Sequence, residues 1–393
     1  MKLLLKSISN LKRSDINQMK NKDRWIEEAW NKVEHKVERI SKEIGSQFPH
    51  ASVEGQYGLE QPHWWTAGFW PGLLWLVYRE NKNEELRKLA TECEEKLNDV
   101  IFDFDRLDHD MGFMWILTSV ARYKTVEEED ARKKALLVAN LFMGRFNLNG
   151  NYIRAWNPWS PGEDNSGWAI IDCTMNISLL FWASEISGDP RYKHVAKKHA
   201  DTVINHFIRE DGSVHHIIRF DSESGEKLEA IGGQGYSHES AWSRGAAWAI
   251  YGLALCYQYT KEDKYLQAAK KAAHYFIVNL PEDYVPVWDF RIPQENEPFR
   301  DSSAGAIAAA GLLVLSDSTS ENESKLYYEA GENILYSLYT KYGEWENTQE
   351  QGLISKGTSH VPEGKNIHVP LIYGDYFFTE GLLYLKGRKK LFW

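Results

Sequence analysis

The chain has 393 residues, of which 43% are hydrophobic and 26% charged, so it can bury a large core and still keep a charged surface. Its net charge is −10 with acids and bases interspersed, which excludes nucleic acid as the main partner because phosphate binding needs a basic face. No apolar run approaches the roughly 18 residues that argue for a membrane span, so no membrane association is expected.

Residues 1–22 read as an N-terminal extension. Its start, Met1-Lys2-Leu3-Leu4-Leu5-Lys6, has too short an apolar run for a signal peptide and lacks a small-residue cleavage site. From residue 23 to 393 the pattern is that of one domain built from helices of two kinds. The first kind is amphipathic and charged: 23–44, 85–101, 128–146, 191–208, 264–280 and 323–342. In the first of these, Trp25, Ile26, Trp30, Val33, Val37, Ile40 and Ile44 form one stripe, with Lys and Glu opposite. The second kind is apolar nearly all round: 64–78, 110–122, 170–186, 241–259, 302–315 and 375–385. A helix apolar on every side is buried on every side. Six exposed helices alternating with six buried ones predict an all-α fold, an (α/α)6 barrel in which an outer ring wraps an inner one. A helical bundle of other connectivity is the alternative.

The longest loops precede buried helices. Residues 147–167 hold Trp156 and Trp159 among prolines and glycines, and 215–240 hold His216, Gln234, Tyr236 and His238. The alternation from 214 to 220, followed by Glu223-Ser224-Gly225, predicts a short β-hairpin, and 285–292, with Asp289, suggests a further strand. All of these feed the N-terminal ends of inner helices, so they should gather at one rim, where a rigid scaffold can present function.

Two stretches carry the chemistry: Leu107-Asp108-His109-Asp110-Met111-Gly112-Phe113-Met114 and Ile170-Ile171-Asp172-Cys173-Thr174-Met175-Asn176. Each places an acid at the edge of a buried segment, where a carboxylate is costly unless paired, hydrogen-bonded or protonated. Either acid could simply cap its helix. Sharing one pocket, Asp110 and Asp172 would instead make an acid/base pair poised near neutral pH. Arg244, at the head of an apolar helix, needs an anion: a protein carboxylate, or a substrate carboxylate held in a bidentate grip. Arg300-Asp301-Ser302-Ser303 reads as a helix N-cap with an ion pair. Cys93, Cys173 and Cys256 are widely separated and read as small buried apolar residues in a reducing cytoplasm. No metal-ligand spacing is present, and no metal or cofactor is expected. The residues alone point to acid/base chemistry on a carbohydrate that carries a carboxylate.

The motifs resemble those of the unsaturated glucuronyl hydrolases of glycoside hydrolase family 88. The matching segments are His63-Trp64-Trp65-Thr66-Ala67-Gly68-Phe69-Trp70, Leu107 to Phe113, Arg154-Ala155-Trp156, Ile170 to Cys173, His216 to Asp221, Gly233-Gln234-Gly235, Trp242-Ser243-Arg244-Gly245-Ala246-Ala247-Trp248, Tyr284 to Phe290, Arg300 to Ala304 and Gly374-Asp375-Tyr376. They run in family order from about residue 24 to 386. The resemblance implies an enzyme that takes lyase-generated oligosaccharides, of glycosaminoglycan type, as its small-molecule partner. It would hydrate the C4=C5 vinyl ether of the terminal 4,5-unsaturated uronic acid and so release that sugar. By the same resemblance Asp172 is the proton donor that also delivers water, and Asp110 is the second essential acid. Trp65, His109, Trp156, His216, Gln234, Trp242, Arg244 and Trp248 match positions that line the pocket or hold the uronate. Some relatives carry a Ser/Lys sulphate-recognition pattern near 356–365, which Val361 and Glu363 interrupt here. Alternatives are an unsaturated rhamnogalacturonyl hydrolase, a non-catalytic oligosaccharide-binding barrel, or an epimerase relying on His216 and His360. A monomer or weak homodimer is expected.

Overall fold

The computed structural model describes residues 13–293, 298–390 and 392–393. Outer and inner helices alternate through the chain: α1 (Arg13–Ile44) outside with α2 (Phe69–Asn81) inside; α3 (Glu84–Val100) with α4 (Met111–Trp115) and α5 (Ala121–Val126); α6 (Glu129–Met143) with α7 (Cys173–Asn176) and α8 (Ser178–Ser187); α9 (Pro190–His206) with α10 (Ser243–Thr260); α11 (Asp263–Val278) with α12 (Ser302–Ser316); α13 (Glu321–Ser337) with α14 (Ile372–Leu385). Within the inner ring α14 packs on both α12 and α2, so the ring closes into the expected (α/α)6 barrel.

The two rings follow from composition. On α3 only one stripe is buried, with Leu86, Ala90, Cys93 and Leu97 facing in. Every residue of α12 is buried, and its run of Ala, Gly and Ser lets neighbouring inner helices approach closely. The outer helices start with local signals: the Asn83 side chain accepts the Glu85 N–H, and Asp189 accepts that of Arg191 ahead of a proline at the first turn.

Several boundaries differ from expectation. Residues 1–12 of the expected extension lie outside the described residues, and the backbone is already helical at Arg13, ten positions before the apolar stripe reveals it. The second inner helix contains a π-helical turn, Ile116–Val120, between α4 and α5, a local irregularity frequent near functional sites. The third begins only at Cys173. Ile170, its expected first residue, instead ends a strand, and Ile171 and Asp172 turn the chain into the helix, since short apolar runs are ambiguous by periodicity.

The strands decorate the rim where the inner helices begin. β1 (Phe48–Val53) pairs with β2 (Gln56–Glu60), and β3 (Phe146–Asn147) with β4 (Tyr152–Ile153). β5 (Trp168–Ile170), β6 (Ile217–Phe220) and β7 (Lys227–Ile231) make an antiparallel three-stranded sheet with Ile170 opposite Ile217 and Ile217 opposite Ile231. β8 (Gly357–His360) pairs with β9 (Lys365–Val369). The hairpin expected after 214 is therefore present, whereas 285–292 contributes only isolated bridges, Trp242 to Asp289 and Val287 to Arg300. Toward the other end of the barrel Trp393 enters the ring and stacks on Phe377 at 5.8 Å. Among the described residues no helix is long and apolar enough to cross a membrane.

Candidate active site

Asp110 and Asp172 occupy the N-cap positions of α4 and α7, yet neither side chain caps its helix. Asp301 shows the contrast: its carboxylate accepts the N–H groups of Ser303 and Ala304 at the head of α12. The two uncapped acids are 6% and 8% exposed and do not gain the stabilisation a cap would provide, which leaves their oxygens available for chemistry.

Local packing brings them together. A Cβ on Gly112 would lie 2.4 Å from Cα and O of Asn176, so only glycine lets α4 and α7 touch backbone to backbone. Asn176, four residues after Asp172, then bridges the two acids. Its Nδ2 reaches Asp110 Oδ1 at 3.4 Å and the Asp172 carbonyl at 3.2 Å, while its Oδ1 accepts the Phe113 N–H at 2.6 Å. Burial raises the Asp110 carboxyl well above the usual range, and the nearby Asp108 and Asp172 charges raise it further. Burial pushes Asp172 up to about 7, against the lowering influence of Arg244.

Two histidines flank the acids. His109 Nε2 lies 3.3 Å from Asp110 Oδ1 and its Nδ1 3.2 Å from the Ala155 carbonyl. His216 Nε2 lies 3.9 Å from Asp172 Oδ1, while its Nδ1 meets the Gln234 N–H at 2.9 Å and the Gly232 carbonyl at 3.1 Å. Gly233, at φ 57°, makes this possible, because a Cβ there would strike His216 Nδ1 at 2.2 Å. Burial lowers both rings to about 3, so both are neutral. Asp172 Oδ1, His109 Nε2 and His216 Nε2 are buried without hydrogen-bond partners. Such orphaned atoms are rare in a folded protein, and three around one pair of acids mark the place for a polar ligand.

Arg244 is 1% exposed, and both of its terminal nitrogens are hydrogen-bonded. It donates to Asp301 Oδ2 at 2.7 Å, to the Thr358 and Ser359 carbonyls at 2.6 and 2.7 Å, and to Gln234 Oε1. Of the two anions the sequence left open for it, the structure supplies the protein carboxylate, Asp301. Its guanidinium also covers the Trp242 ring at 4.5 Å and faces Tyr373 at 5.4 Å.

The aromatic residues divide. Trp65, half-buried, packs on Tyr373 at 4.9 Å, and Trp156, also half-buried, stands edge-on to His109 at 5.5 Å. Trp242 is buried and backs the His216 ring at 4.2 Å, so it supports the pocket rather than offering a free face. Trp248 is 0% exposed and packs against Phe113 and Phe377 at 5.0 and 5.5 Å. It lies one turn along α10 from Arg244, and its Nε1 is buried without a hydrogen-bond partner.

Sequence reading missed Asn176, whose i+4 spacing from Asp172 was the available signal, and Asp289. That buried carboxylate accepts the Tyr236, Ala241 and Arg291 N–H groups and so pins the loop that carries Gln234. Asp108, His109 and Asp110 bring possible metal-ligand atoms within 4.8 Å of one another. Asp108 Oδ1, however, holds the Asp110 N–H at 2.8 Å, and His109 Nδ1 faces a carbonyl.

Residues 36–314 match the model of Glycosyl Hydrolase Family 88. The chain belongs to that family. It is 37% identical to the unsaturated glucuronyl hydrolase of Bacillus sp. strain GL1, over 90% of this chain and 95% of that protein. It is 35% identical to the unsaturated chondroitin disaccharide hydrolase of Streptococcus pyogenes serotype M1, over 85% and 84%. The Bacillus sp. GL1 crystal structure superimposes with a TM-score of 0.90 at 36% identity, covering 94% of this chain and 99% of that one. A further unsaturated glucuronyl hydrolase structure, with the ligand dGlcA-Glc-Rha-Glc, gives 0.89 at 36% identity, covering 93% and 98%. The family 88 chain is a glycosidase.

Proposed function

We propose that Asp172 and Asp110 are the catalytic pair with which this family 88 enzyme removes the 4,5-unsaturated uronic acid from the non-reducing end of lyase-generated, glycosaminoglycan-type oligosaccharides. The reaction is hydration of the C4=C5 vinyl ether. The Asp172 carboxyl gives its proton to C4, and the resulting carboxylate takes a proton from the water that attacks C5. Opening of the hemiketal so formed leaves a ketone at C5 and a hemiacetal at C1, and collapse of the hemiacetal breaks the glycosidic C1–O bond, so the keto acid separates from the rest of the chain. A carboxyl held at about 7 suits both halves of this cycle, since a catalytic acid works best near the operating pH. Asp110, whose carboxyl burial and the neighbouring acids raise, is placed to hydrogen-bond to the ring. Neutral His216, 3.9 Å from Asp172, and His109 beside Asp110 offer nitrogens to the substrate or the attacking water.

The observation that carries this reading is the pair of buried acids that head two inner helices without capping them. A binding barrel would have no need of both. Three buried, unpaired cysteines support a cytoplasmic location. A monomer or weak homodimer fits the scattering of exposed apolar side chains such as Leu137, Val278 and Leu326 over separate outer helices. The test is an assay of lyase-generated disaccharides from hyaluronan, chondroitin and heparin, followed by loss of the C4=C5 near-ultraviolet absorbance. No loss on any of them would overturn the proposal.

A further inference from the structure

An aromatic file leads from the acids to solvent. His109, beside Asp110, meets Trp156 edge-on at 5.5 Å; Trp156 meets Trp159 at 5.2 Å; and both contact Trp168 at 6.1 Å. Exposure rises along it, from 1% at His109 to 63% at Trp159. A lone exposed apolar side chain needs no explanation, but Trp159 continues a cluster that begins at the reacting groups.

The loop that carries it is braced. Glu163 Oε2 accepts the Trp159 and Ser160 N–H groups at 2.8 and 3.2 Å. Asn165 donates to the Asn157 carbonyl at 2.7 Å and accepts from Arg154 at 2.7 Å, and Arg145 donates to Asn157 Oδ1 at 3.1 Å. With its backbone held in this way and its indole packed on Trp156 and Trp168, Trp159 offers a flat face at little cost in conformational freedom on binding. The occupant must be flat, apolar on one face and polar at its edges, and must continue from the catalytic pocket. A pyranose ring, with its axial C–H groups on one face and hydroxyls around the rim, meets that description.

We propose that Trp159 forms a distal sugar subsite that stacks on the third and later sugars of an oligosaccharide whose unsaturated uronate lies at Asp110 and Asp172, with Trp156 beside the second sugar. Trp159 thereby sets a preference for chain length. This rests on the catalytic reading above and goes beyond it, because a disaccharide does not reach Trp159.

The experiment compares wild type, Trp159→Ala and Trp159→Phe on an unsaturated disaccharide and an unsaturated tetrasaccharide released from the same polysaccharide. Trp159→Ala should raise KM for the tetrasaccharide by about three- to tenfold, the scale of one aromatic stacking contact. Its kcat on both substrates and its KM for the disaccharide should stay unchanged, and Trp159→Phe should recover part of the loss. An unchanged tetrasaccharide-to-disaccharide ratio of kcat/KM in Trp159→Ala would overturn the subsite. Failure of the catalytic reading would look different, since wild type would then turn over neither substrate.

Discussion

Gly112 and Asn176 meet backbone to backbone, with 2.4 Å between a Cβ placed on the glycine and Cα of the asparagine. That contact sets the separation of α4 from α7 and hence of Asp110 from Asp172. Gly→Ala within a helix usually stabilises it, but here the added methyl meets backbone that cannot rotate away. Gly112→Ala should destabilise the fold by about 1–3 kcal/mol, the usual cost of overpacking, and should lower kcat more than KM because the acids move apart. Thermal unfolding and steady-state kinetics check this. A variant as stable and active as wild type would show that the separation does not matter.

Asp172→Asn and Asp110→Asn should each lower kcat by roughly 10²–10⁴-fold, the usual contribution of a general acid or base. Neither should lower Tm, since neither carboxylate caps its helix. If Asp172 must enter the cycle protonated, activity falls as pH rises through about 7, and Asp172→Asn removes that limb from the residual rate. Stability carries the matching sign. A carboxyl raised on folding binds more protons folded than unfolded, so its contribution is full below the unfolded value near 4 and is lost as pH rises through about 7. Wild type should therefore lose stability over that window, and Asp172→Asn should lose less. A rate profile flat from pH 5 to 9 would remove Asp172 from the proton-donor role.

Chelation should leave the rate unchanged. Asp108, His109 and Asp110 could surround an ion, yet two of them already hold the backbone at Asp110 and Ala155. Assays with and without EDTA, followed by readdition of divalent ions, check this. Loss of rate restored by one ion would make the three residues a metal centre.

Much of this was legible beforehand. Periodicity revealed the two rings because a helix with one wet face and a helix with none have different compositions, as α3 and α12 show. Asp110 and Asp172 stood out because acids at the edges of buried segments need a reason. What stayed hidden depends on packing between distant segments. The Arg244–Asp301 pair joins residues 57 positions apart, and the sequence offered them separately, one as a cation needing an anion and the other in a helix N-cap with an ion pair. Trp248 looked like Trp242 in sequence, and only the turn of α10 sends one against Phe113 and Phe377 and the other to His216. The helical start at Arg13 carries no apolar stripe over its first turns, so periodicity could not place it.

Arg244→Ala should act mainly through stability. Removing the guanidinium leaves the Asp301 side chain 0% exposed and without its cationic partner, and breaking a buried ion pair typically costs about 3–5 kcal/mol. It also frees Gln234 and the Thr358 and Ser359 carbonyls. The expected result is a large fall in Tm, with equal loss of activity on a uronate and on its methyl ester. A loss confined to the free acid, with Tm unchanged, would return Arg244 to reading the substrate carboxylate.

Trp393 links the far end of the barrel to the site. Its indole stacks on Phe377, stands edge-on to Phe113 at 5.9 Å, and donates to Glu380 Oε2 at 2.8 Å. Phe113 in turn donates its N–H to the Asn176 amide that steadies Asp110. Glu380 also accepts from the Tyr251 and Tyr376 hydroxyls at 2.6 Å, and burial raises it to about 7. Trp393→Ala opens a cavity inside the ring and should cost about 3–5 kcal/mol, as for other buried Trp and Phe truncations. Trp393→Phe keeps most of the volume but leaves Glu380 short of one donor, an added cost of about 1–3 kcal/mol. Both losses should appear in Tm, with kcat falling only in the Ala variant, where Phe113 loses its support. Equal Tm for wild type and Trp393→Ala would show that the ring holds its shape without this residue.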